Sequence, residues 1–301
     1  MRSIHRLVAC VLGAGLLLGV TASTAAASAD SRSKDNVTVY GLTTRNKIVT
    51  FSLDRPEKVR RSVRVKGLAN DERLIGIDRR PKDNLIYGVT RTRSSAELIT
   101  VDPATGKTTF VATLVSAPTA TTPRGAGVDP DGREFGFDFN PAADALRIVS
   151  DSGQNLRVIP SARTAPDGTQ LQPGDTFTDG ALNRTPGMVA TGVSGAAYSN
   201  NDNDPATGTT LYDIDYQQDQ LLTQNPPNAG TLTNPLPLGQ TTGRRVGFDI
   251  RTTSTGDLAV ASLSKTGRRT SRIVVVDVTT GNVRTVGKFR FAALRDITLA
   301  A

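Results

Sequence analysis

The sequence predicts an all-β fold, a β-propeller of five four-stranded blades. Short runs rich in Val, Ile, Thr, Tyr and Phe alternate with Gly, Pro, Asn and Asp turns, and no stretch has the period of a helix. A G-x-D motif and the strands that follow it recur at a spacing of roughly 50 to 60 residues. The two ends of the chain together supply the strands of one more unit.

The motif occurs at residues 74–78, 135–138 and 246–249, with a degenerate copy at 195–198. Further short strand-like runs follow each copy, and two of the units contain a D-x-x-T-G turn in which Gly favours positive φ. Each unit therefore predicts four antiparallel strands, which is the composition of a propeller blade.

The first blade is predicted to draw strands from both termini. Residues 37–42, 48–53 and 59–65 resemble the second, third and fourth strands of a unit, and residues 294–299 resemble a lone first strand. Pairing of these segments would close the ring and remove its free edges.

The number of blades depends on how the longer connections are interpreted. Insertions at 115–134, 161–192 and 224–243 leave four or six blades open, and a flat β-sandwich is the alternative architecture. The three clean copies, the degenerate copy and the blade shared by the termini favour five.

The N-terminal residues have the pattern of a Sec-type signal peptide. Arg2 and Arg6 precede an apolar run at 7–20, and small residues with A-x-A spacing follow it. We therefore expect a secreted or periplasmic protein. The expected organisation is a signal peptide at 1–29, a disordered mature N-terminus at 30–36 and one propeller domain at 37–301.

Composition excludes several classes of catalytic site. The only His and the only Cys of the chain, His5 and Cys10, lie inside the expected signal peptide, and the chain has no Trp. Without them a mature protein cannot form a Ser-His-Asp triad, a Cys nucleophile or a Cys/His zinc site. Chemistry would have to come from carboxylates, Arg, Lys, Tyr, hydroxyl groups and backbone.

Positive charge is concentrated in the N-terminal part of the expected mature chain. Residues 30–93 contain 16 basic and 8 acidic side chains, whereas residues 94–301 contain 18 and 20. A basic surface is predicted on one face of a strand, formed by Lys58, Arg60, Arg61, Arg64 and Lys66. These residues either protect a sheet edge or attract an anionic polymer or lipid headgroup; the lack of interleaved aromatics speaks against nucleic acid.

The repeated motif supplies the first group of candidate site residues. If the motif forms the innermost strand of each blade, Asp78, Asp138, Asp249 and Asp296 approach the central channel, and Ala197 interrupts the pattern. Such carboxylates either accept backbone N–H groups or converge on a hard cation such as Ca²⁺, for which oxygen is the preferred ligand.

Two further sets of polar residues are candidates. Asn200, Asp202 and Asp204 have N-x-D-x-D spacing and begin like a calcium loop, although the Gly and Glu of an EF-hand are missing. Arg147 and Arg157 are predicted on adjacent strands, where they either bind an anionic ligand or pair with neighbouring Asp residues.

The stretch at 135–150, which includes Phe139-Asn140-Pro141, resembles a bacterial exported family described as domain of unknown function 4394. The opening at 40–42, the segment at 154–157 and the segment at 195–200 are also similar to that family, so the resemblance covers about 37–299. It implies a propeller-like fold and brings neither an activity nor catalytic residues.

From these observations we expect a non-catalytic binding module for a carbohydrate, a peptide or an anionic envelope polymer. We expect a monomer without a stable membrane span and without a nucleic-acid partner. One alternative is a Ca²⁺-dependent hydrolase or lactonase that uses the channel carboxylates and an Asn, for which Asn140 is the candidate. A structural envelope component is the other.

Overall fold

The computed structural model describes residues 37–69, 72–92, 95–202, 204, 206–265 and 267–300. The expected signal peptide and the segment 30–36 lie outside these residues. Within the described part of the chain, no helix is both long and apolar enough to cross a membrane.

Seven strands open the described chain, and each has the alternating or wholly apolar pattern of a strand in a layered β fold. The first three, which belong to blade 1, are β1 (Thr38–Thr43), β2 (Lys47–Ser52) and β3 (Arg55–Arg64). Blade 2 consists of β4 (Arg73–Arg79), β5 (Ile86–Arg91), β6 (Ala96–Val101) and β7 (Thr108–Thr113). Turn residues with positive φ, such as Asn46 at 51° and Gly106 at 73°, allow tight connections between these antiparallel strands.

Blade 3 contains one added strand and one added hairpin. Its strands are β8 (Val115–Ser116), β9 (Phe135–Asn140), β10 (Ala145–Ser150), β11 (Asn155–Val158) and β14 (Asp175–Thr178). The hairpin between β11 and β14 consists of β12 (Arg163–Thr164) and β13 (Gln170–Leu171). The fourth strand of this blade, β14, therefore lies within the segment 161–192 that the sequence pattern marks as an insertion.

Blade 4 follows a second small hairpin, made of β15 (Asn183–Thr185) and β16 (Met188–Val189). Its strands are β17 (Val193–Tyr198), β18 (Leu211–Asp215), β19 (Gln220–Gln224) and β20 (Leu232–Pro237), with a 3₁₀ helix at Pro227–Ala229. The outer strand β20 likewise lies within a predicted insertion, at 224–243.

Blade 5 and the C-terminal strand complete the ring. Blade 5 consists of β21 (Val246–Thr253), β22 (Gly256–Ser264), β23 (Ser271–Val276) and β24 (Val283–Phe289), and the last strand is β25 (Leu294–Leu299). Strand β25 pairs with β1 in antiparallel register, with Val39 opposite Leu299 and Leu42 opposite Asp296. The sheet order β25-β1-β2-β3 confirms the predicted five blades and their closure by both ends of the chain.

The buried apolar side chains of the described residues form five clusters, and each cluster lies between two neighbouring blades. Between blades 2 and 3, for example, Ile75 and Val89 pack against Phe137 and Ile148. A propeller blade is apolar on both faces because it is sandwiched between two others, and this explains the nearly continuous apolar runs of the inner strands.

Glycines of the repeated motif allow the inner strands to approach closely around the channel. A Cβ atom on Gly136 would lie 2.6 Å from the Ala196 nitrogen of the next blade, and one on Gly247 would lie 2.6 Å from the Ile297 nitrogen. Backbone atoms cannot yield as side-chain ends can, so these two positions exclude any larger residue.

We predict that Gly247→Ala destabilises the protein by about 3 kcal/mol, because the added methyl group forces β21 and β25 apart. Urea unfolding of the variant and the wild type measures the effect. The control is Gly127→Ala, where the nearest atom to the added Cβ is the Leu114 oxygen at 3.8 Å. Equal stability of Gly247→Ala and the control would contradict the close approach of these strands.

Candidate functional site

Carboxylates of the inner strands bind the backbone of the next blade. Asp78 Oδ2 on β4 accepts a hydrogen bond from the Phe139 N–H on β9 at 2.9 Å. Asp138 on β9 accepts from the Tyr198 N–H on β17 at 2.7 Å, and Asp249 on β21 accepts from the Leu299 N–H on β25 at 2.5 Å. Each acceptor thus satisfies an N–H group on the free inner edge of the following strand.

Between β25 and β4, the hydroxyl group of Thr298 accepts the backbone N–H group in place of a carboxylate. Its hydroxyl oxygen accepts from the Arg79 N–H at 3.2 Å and donates to Asp78 Oδ1 at 2.8 Å. The residues at the ring position in blades 2, 3, 5 and 1 are therefore Asp78, Asp138, Asp249 and Thr298.

Asp296, the candidate acid on β25, also lies on an inner strand but does not occupy the ring position. Asp296 lies two residues before the ring position, buried where other blades have the motif glycine, and it accepts the Ile77 and Ile297 N–H groups, both at 2.9 Å. A lone strand carries no repeat of its own, so its register could not be read from the sequence.

Blade 4 has Ala197 at the ring position and cannot supply an acceptor there. The contact to blade 5 is made by a reciprocal pair beyond the strand end instead. The Asn201 N–H donates to Thr252 Oγ1 at 3.1 Å, and the Thr252 N–H donates to Asn201 Oδ1 at 3.2 Å.

Asp78, Asp138 and Asp249 form the aspartate cluster of the channel. One carboxylate oxygen from each lies within 4.8 Å of the other two, and all three residues are buried. The cavity that they line, together with Asn201 and Thr298, has a volume of only about 10 Å³. That space accommodates about one water molecule or one cation.

Burial dominates the electrostatics of this cluster. It raises the pKa of Asp78, of Asp138 and of Asp249, and proximity to Asp78 and Asp249 raises the pKa of Asp138 further. Burial also raises the pKa of Asp296. The channel therefore stabilises protonated aspartates, unless a cation replaces the protons.

Arg147 and Arg157 converge on one acid, Asp179. Arg147 is buried between blades 3 and 4 and donates to Asp179 at 2.7 Å and to Asn155 at 2.8 Å. Arg157 donates to both oxygens of Asp179 at 3.1 Å. The sequence pattern left open whether these arginines bind an anionic ligand or pair with neighbouring Asp residues, and in the structure both pair with Asp179. Asn140, in turn, accepts the Ala143 N–H at 2.8 Å in a turn after β9.

The loop with Asn200, Asp202 and Asp204 is held by its own hydrogen bonds. The Thr207 hydroxyl donates to Asp202, and the Asp202 and Asp204 carboxylates accept the backbone N–H groups of Asp204 and Ala206 at 2.9 Å. Asn200 donates its side-chain amide to Thr207 at 2.6 Å. These contacts are those of a self-capped turn.

Asp213, on β18 of blade 4, is a buried acid that sequence reasoning missed. Neither of its carboxyl oxygens has a hydrogen-bond partner among the described residues. Burial raises its pKa to about 8, although Arg147 opposes the shift. The sequence does not distinguish Asp213 from other Asp residues on strands. Its position among the buried residues Leu211, Leu222 and Ala196 accounts for its raised pKa.

A cleft of about 520 Å³ opens between blades 1 and 2, which is within the size range of small-ligand sites. Arg79 and Lys107 contribute cations to its lining and Asp102 contributes a carboxylate, while Tyr40, Asn84 and Thr109 contribute neutral polar groups. Its lining also includes the apolar residues Leu85, Ile86, Val101 and Pro103. Sequence reasoning did not predict this cleft, because its residues come from segments that are distant along the chain.

The predicted basic surface borders the cleft. All five of its side chains are exposed on or next to β3, the outer strand of blade 1: Lys58, Arg60, Arg61, Arg64 and Lys66. The turn between β6 and β7 connects them to the cleft, because Arg61 donates to the Ala104 oxygen at 3.1 Å and Lys66 forms a β-bridge with Lys107. Basic side chains thus extend from β3 to the edge of the cleft, where Asp102 adds one carboxylate.

We predict that Asp213→Asn flattens the pH dependence of stability. With a pKa near 8 in the folded state and an ordinary value when unfolded, Asp213 binds more protons in the folded state between about pH 4 and pH 8. Its contribution is complete at low pH and is lost at roughly 1 kcal/mol per pH unit as pH rises towards 8.

Urea midpoints at pH 5 to 9 measure this slope. The control is Asp102→Asn, an exposed turn residue whose pKa is lowered by its hydrogen bonds to Thr105 and Ala104. Its loss should shift the whole curve by a constant amount. Parallel curves for Asp213→Asn and the wild type would show that Asp213 is not the titrating group.

Comparison with solved structures finds matches at very low sequence identity. A chain of a nidogen/laminin complex is 13% identical, with a TM-score of 0.45, and the match covers 88% of this chain and 98% of that one. TolB from Acinetobacter baumannii is 12% identical with a TM-score of 0.45, covering 88% and 66%. A putative 6-phosphogluconolactonase from Bacteroides uniformis is 10% identical with a TM-score of 0.41, covering 88% and 99%.

None of the curated proteins matches the sequence. Residues 47–298 match the family described as domain of unknown function (DUF4394), and this span includes all or part of every blade. The chain is therefore a member of the DUF4394 family, with the fold of a five-bladed β-propeller.

Proposed function

We propose that this protein is a non-catalytic binding module that takes an acidic carbohydrate polymer into the cleft between blades 1 and 2. The observation that carries the proposal is that the exposed basic surface on β3 borders a cleft whose lining has two cations, Arg79 and Lys107, and one acid, Asp102. A ligand longer than the cleft would contact both, which suits a polymer better than a compact metabolite.

The neutral part of the cleft lining favours a carbohydrate over other anionic polymers. Tyr40, Asn84 and Thr109 offer hydroxyl and amide groups, and Leu85, which is 50% exposed, presents an apolar surface. Sugar rings combine hydroxyl groups with apolar C–H faces, so they match such a mixed lining. Arg79 is held in place by its bonds to the Leu299 oxygen and to Asn84, which lowers the entropic cost of binding.

The aspartate cluster is a poor catalytic site for such a ligand. Its carboxyl groups accept hydrogen bonds that join the blades, and the cavity beside them holds about one water molecule. A sugar or ester could not reach these acids without separating the inner strands. Export to the cell envelope, as the N-terminal sequence suggests, would place the cleft where acidic polysaccharides occur.

We predict that Lys107→Glu weakens the binding of oligogalacturonate about tenfold, because the new carboxylate repels the uronate groups and one cation is lost. Isothermal titration calorimetry at low salt measures the affinity, and the affinity of the wild type should fall as salt rises. Arg61→Glu, on the basic surface, should weaken a long oligomer more than a disaccharide.

The control is Arg268→Glu, which makes the same change of charge on an exposed loop of blade 5. It should leave the affinity unchanged. If Lys107→Glu and Arg268→Glu weakened the affinity equally, binding would depend only on the overall charge of the protein and not on the cleft. Binding of a neutral oligosaccharide or an acidic peptide with equal affinity would contradict the proposed ligand class.

The second candidate function, a Ca²⁺-dependent hydrolase or lactonase, is favoured by the three carboxylate oxygens that lie within 4.8 Å of one another. A cation there would have to displace the protons that burial favours. We predict that Ca²⁺ at about 1 mM and pH 7 does not change the melting temperature relative to EDTA.

Two variants locate the site if this prediction fails. A saturable rise in melting temperature that disappears in Asp138→Asn would assign Ca²⁺ to the channel. A rise that disappears in Asp202→Asn would assign it to the loop at 200–204. Either outcome would favour the Ca²⁺-dependent hydrolase or lactonase over the binding module and justify a lactonase screen.

A further inference from the structure

The mouth of the channel opposite the aspartate cluster is lined with arginines. Arg73 begins β4 and Arg295 is the second residue of β25, while Arg244 and Arg245 immediately precede β21. Glu134, which immediately precedes β9, is the carboxylate that faces them. These residues, contributed by four blades, are called the arginine mouth below.

Glu134 cannot satisfy the guanidinium groups around it. Its carboxylate lies 3.2 Å from Arg245, 3.4 Å from Arg244 and 3.5 Å from Arg295, with no bidentate pair. By contrast, Arg124 and Asp175 form a bidentate pair at 2.5 and 2.8 Å. A guanidinium group has five N–H donors in a fixed fork, so three such groups exceed the acceptors of one carboxylate.

An unused donor is found on Arg295, the buried arginine of the mouth. Its Nε atom is buried and has no hydrogen-bond partner among the described residues, whereas the Arg245 Nε atom lies 3.2 Å from Glu134 Oε1. The Arg295 side chain is only 9% exposed. An unpaired buried donor on a charged group is costly, so this position requires an acceptor that the described residues do not supply.

The charge balance points in the same direction. Burial lowers the pKa of Arg295, and its neighbours Arg73 and Arg245 lower it further, while Glu134 and Asp296 oppose the shift. Asp296 accepts the Ile77 and Ile297 N–H groups, and Asp151 accepts the Arg133 and Glu134 N–H groups. Among the described acids, Glu134 is therefore the one that forms ion pairs with arginines of the mouth.

We propose that the arginine mouth binds a phosphate or sulfate group. A tetrahedral oxyanion has acceptors in several directions and can meet donors from blades 1, 2 and 5 at once, whereas a second carboxylate would offer a single plane. The site lies at the opposite end of the inner strands from the aspartate cluster and does not share residues with the cleft.

The test is a titration of the purified protein with inorganic phosphate, monitored by calorimetry and by melting temperature, with NaCl adjusted to hold ionic strength constant. We expect saturable binding that Arg73→Gln weakens about tenfold, because one charged donor is lost. Glu134→Gln should tighten binding, since it removes the competing carboxylate. If the two variants only disturbed folding, both would weaken phosphate binding, and neither would tighten it.

Arg284→Gln, an exposed arginine on β24, is the matched control and should bind phosphate as the wild type does. Sodium sulfate should compete with phosphate, and sodium acetate should not. A stabilisation that does not saturate, or that is the same in all variants, would be a general salt effect and would overturn the proposal. Lys107→Glu should leave phosphate binding intact, so failure here is distinguishable from failure of the carbohydrate proposal.

Discussion

The rest of the fold depends on how the free inner edges of the five innermost strands are satisfied. Each of these strands pairs with its own blade on one side and presents unpaired N–H groups to the next blade on the other. An acceptor on one inner strand binds an N–H group of the next inner strand, always in the same direction around the ring. The acceptors are the carboxylates of Asp78, Asp138 and Asp249 and the hydroxyl group of Thr298. The motif glycines Gly136 and Gly247 permit the close approach of their strands to the next blade, because an added Cβ atom would collide with backbone atoms of that blade.

This solution has an electrostatic cost that shapes the channel. Three of the four acceptors are acids, and gathering them in a narrow space raises their pKa values. Ala197 at the ring position of blade 4 avoids a further carboxylate there. Asn201 and Thr252 instead make a neutral contact between blades 4 and 5, beyond the end of β17.

The sequence was informative wherever a repeat fixed the alignment. The G-x-D copies placed Asp78, Asp138 and Asp249 on inner strands, and the closure by both termini followed from unmatched strands at the two ends. The ring position of β25 is held by Thr298 and not by Asp296, and a lone strand has no repeat from which this register could be predicted. The short strands β14 and β20 were hidden in apparent insertions, since Asp175–Thr178 has a single large apolar residue. The cleft and the arginine mouth join residues from different blades, and no local pattern in a sequence records that proximity.

The distribution of partners among the charged residues indicates where a ligand can bind. Acids of the channel and Asp179 between blades 3 and 4 are engaged by groups of the protein itself, so a ligand there would have to break contacts that hold the ring. Cations at Lys107 and Arg295 differ, because the first is exposed beside a cleft and the second has an unused buried donor. An anion at either position would not have to break a contact that joins the blades. In the two proposals made above, the surplus of positive charge therefore serves to bind anionic groups outside the closed channel.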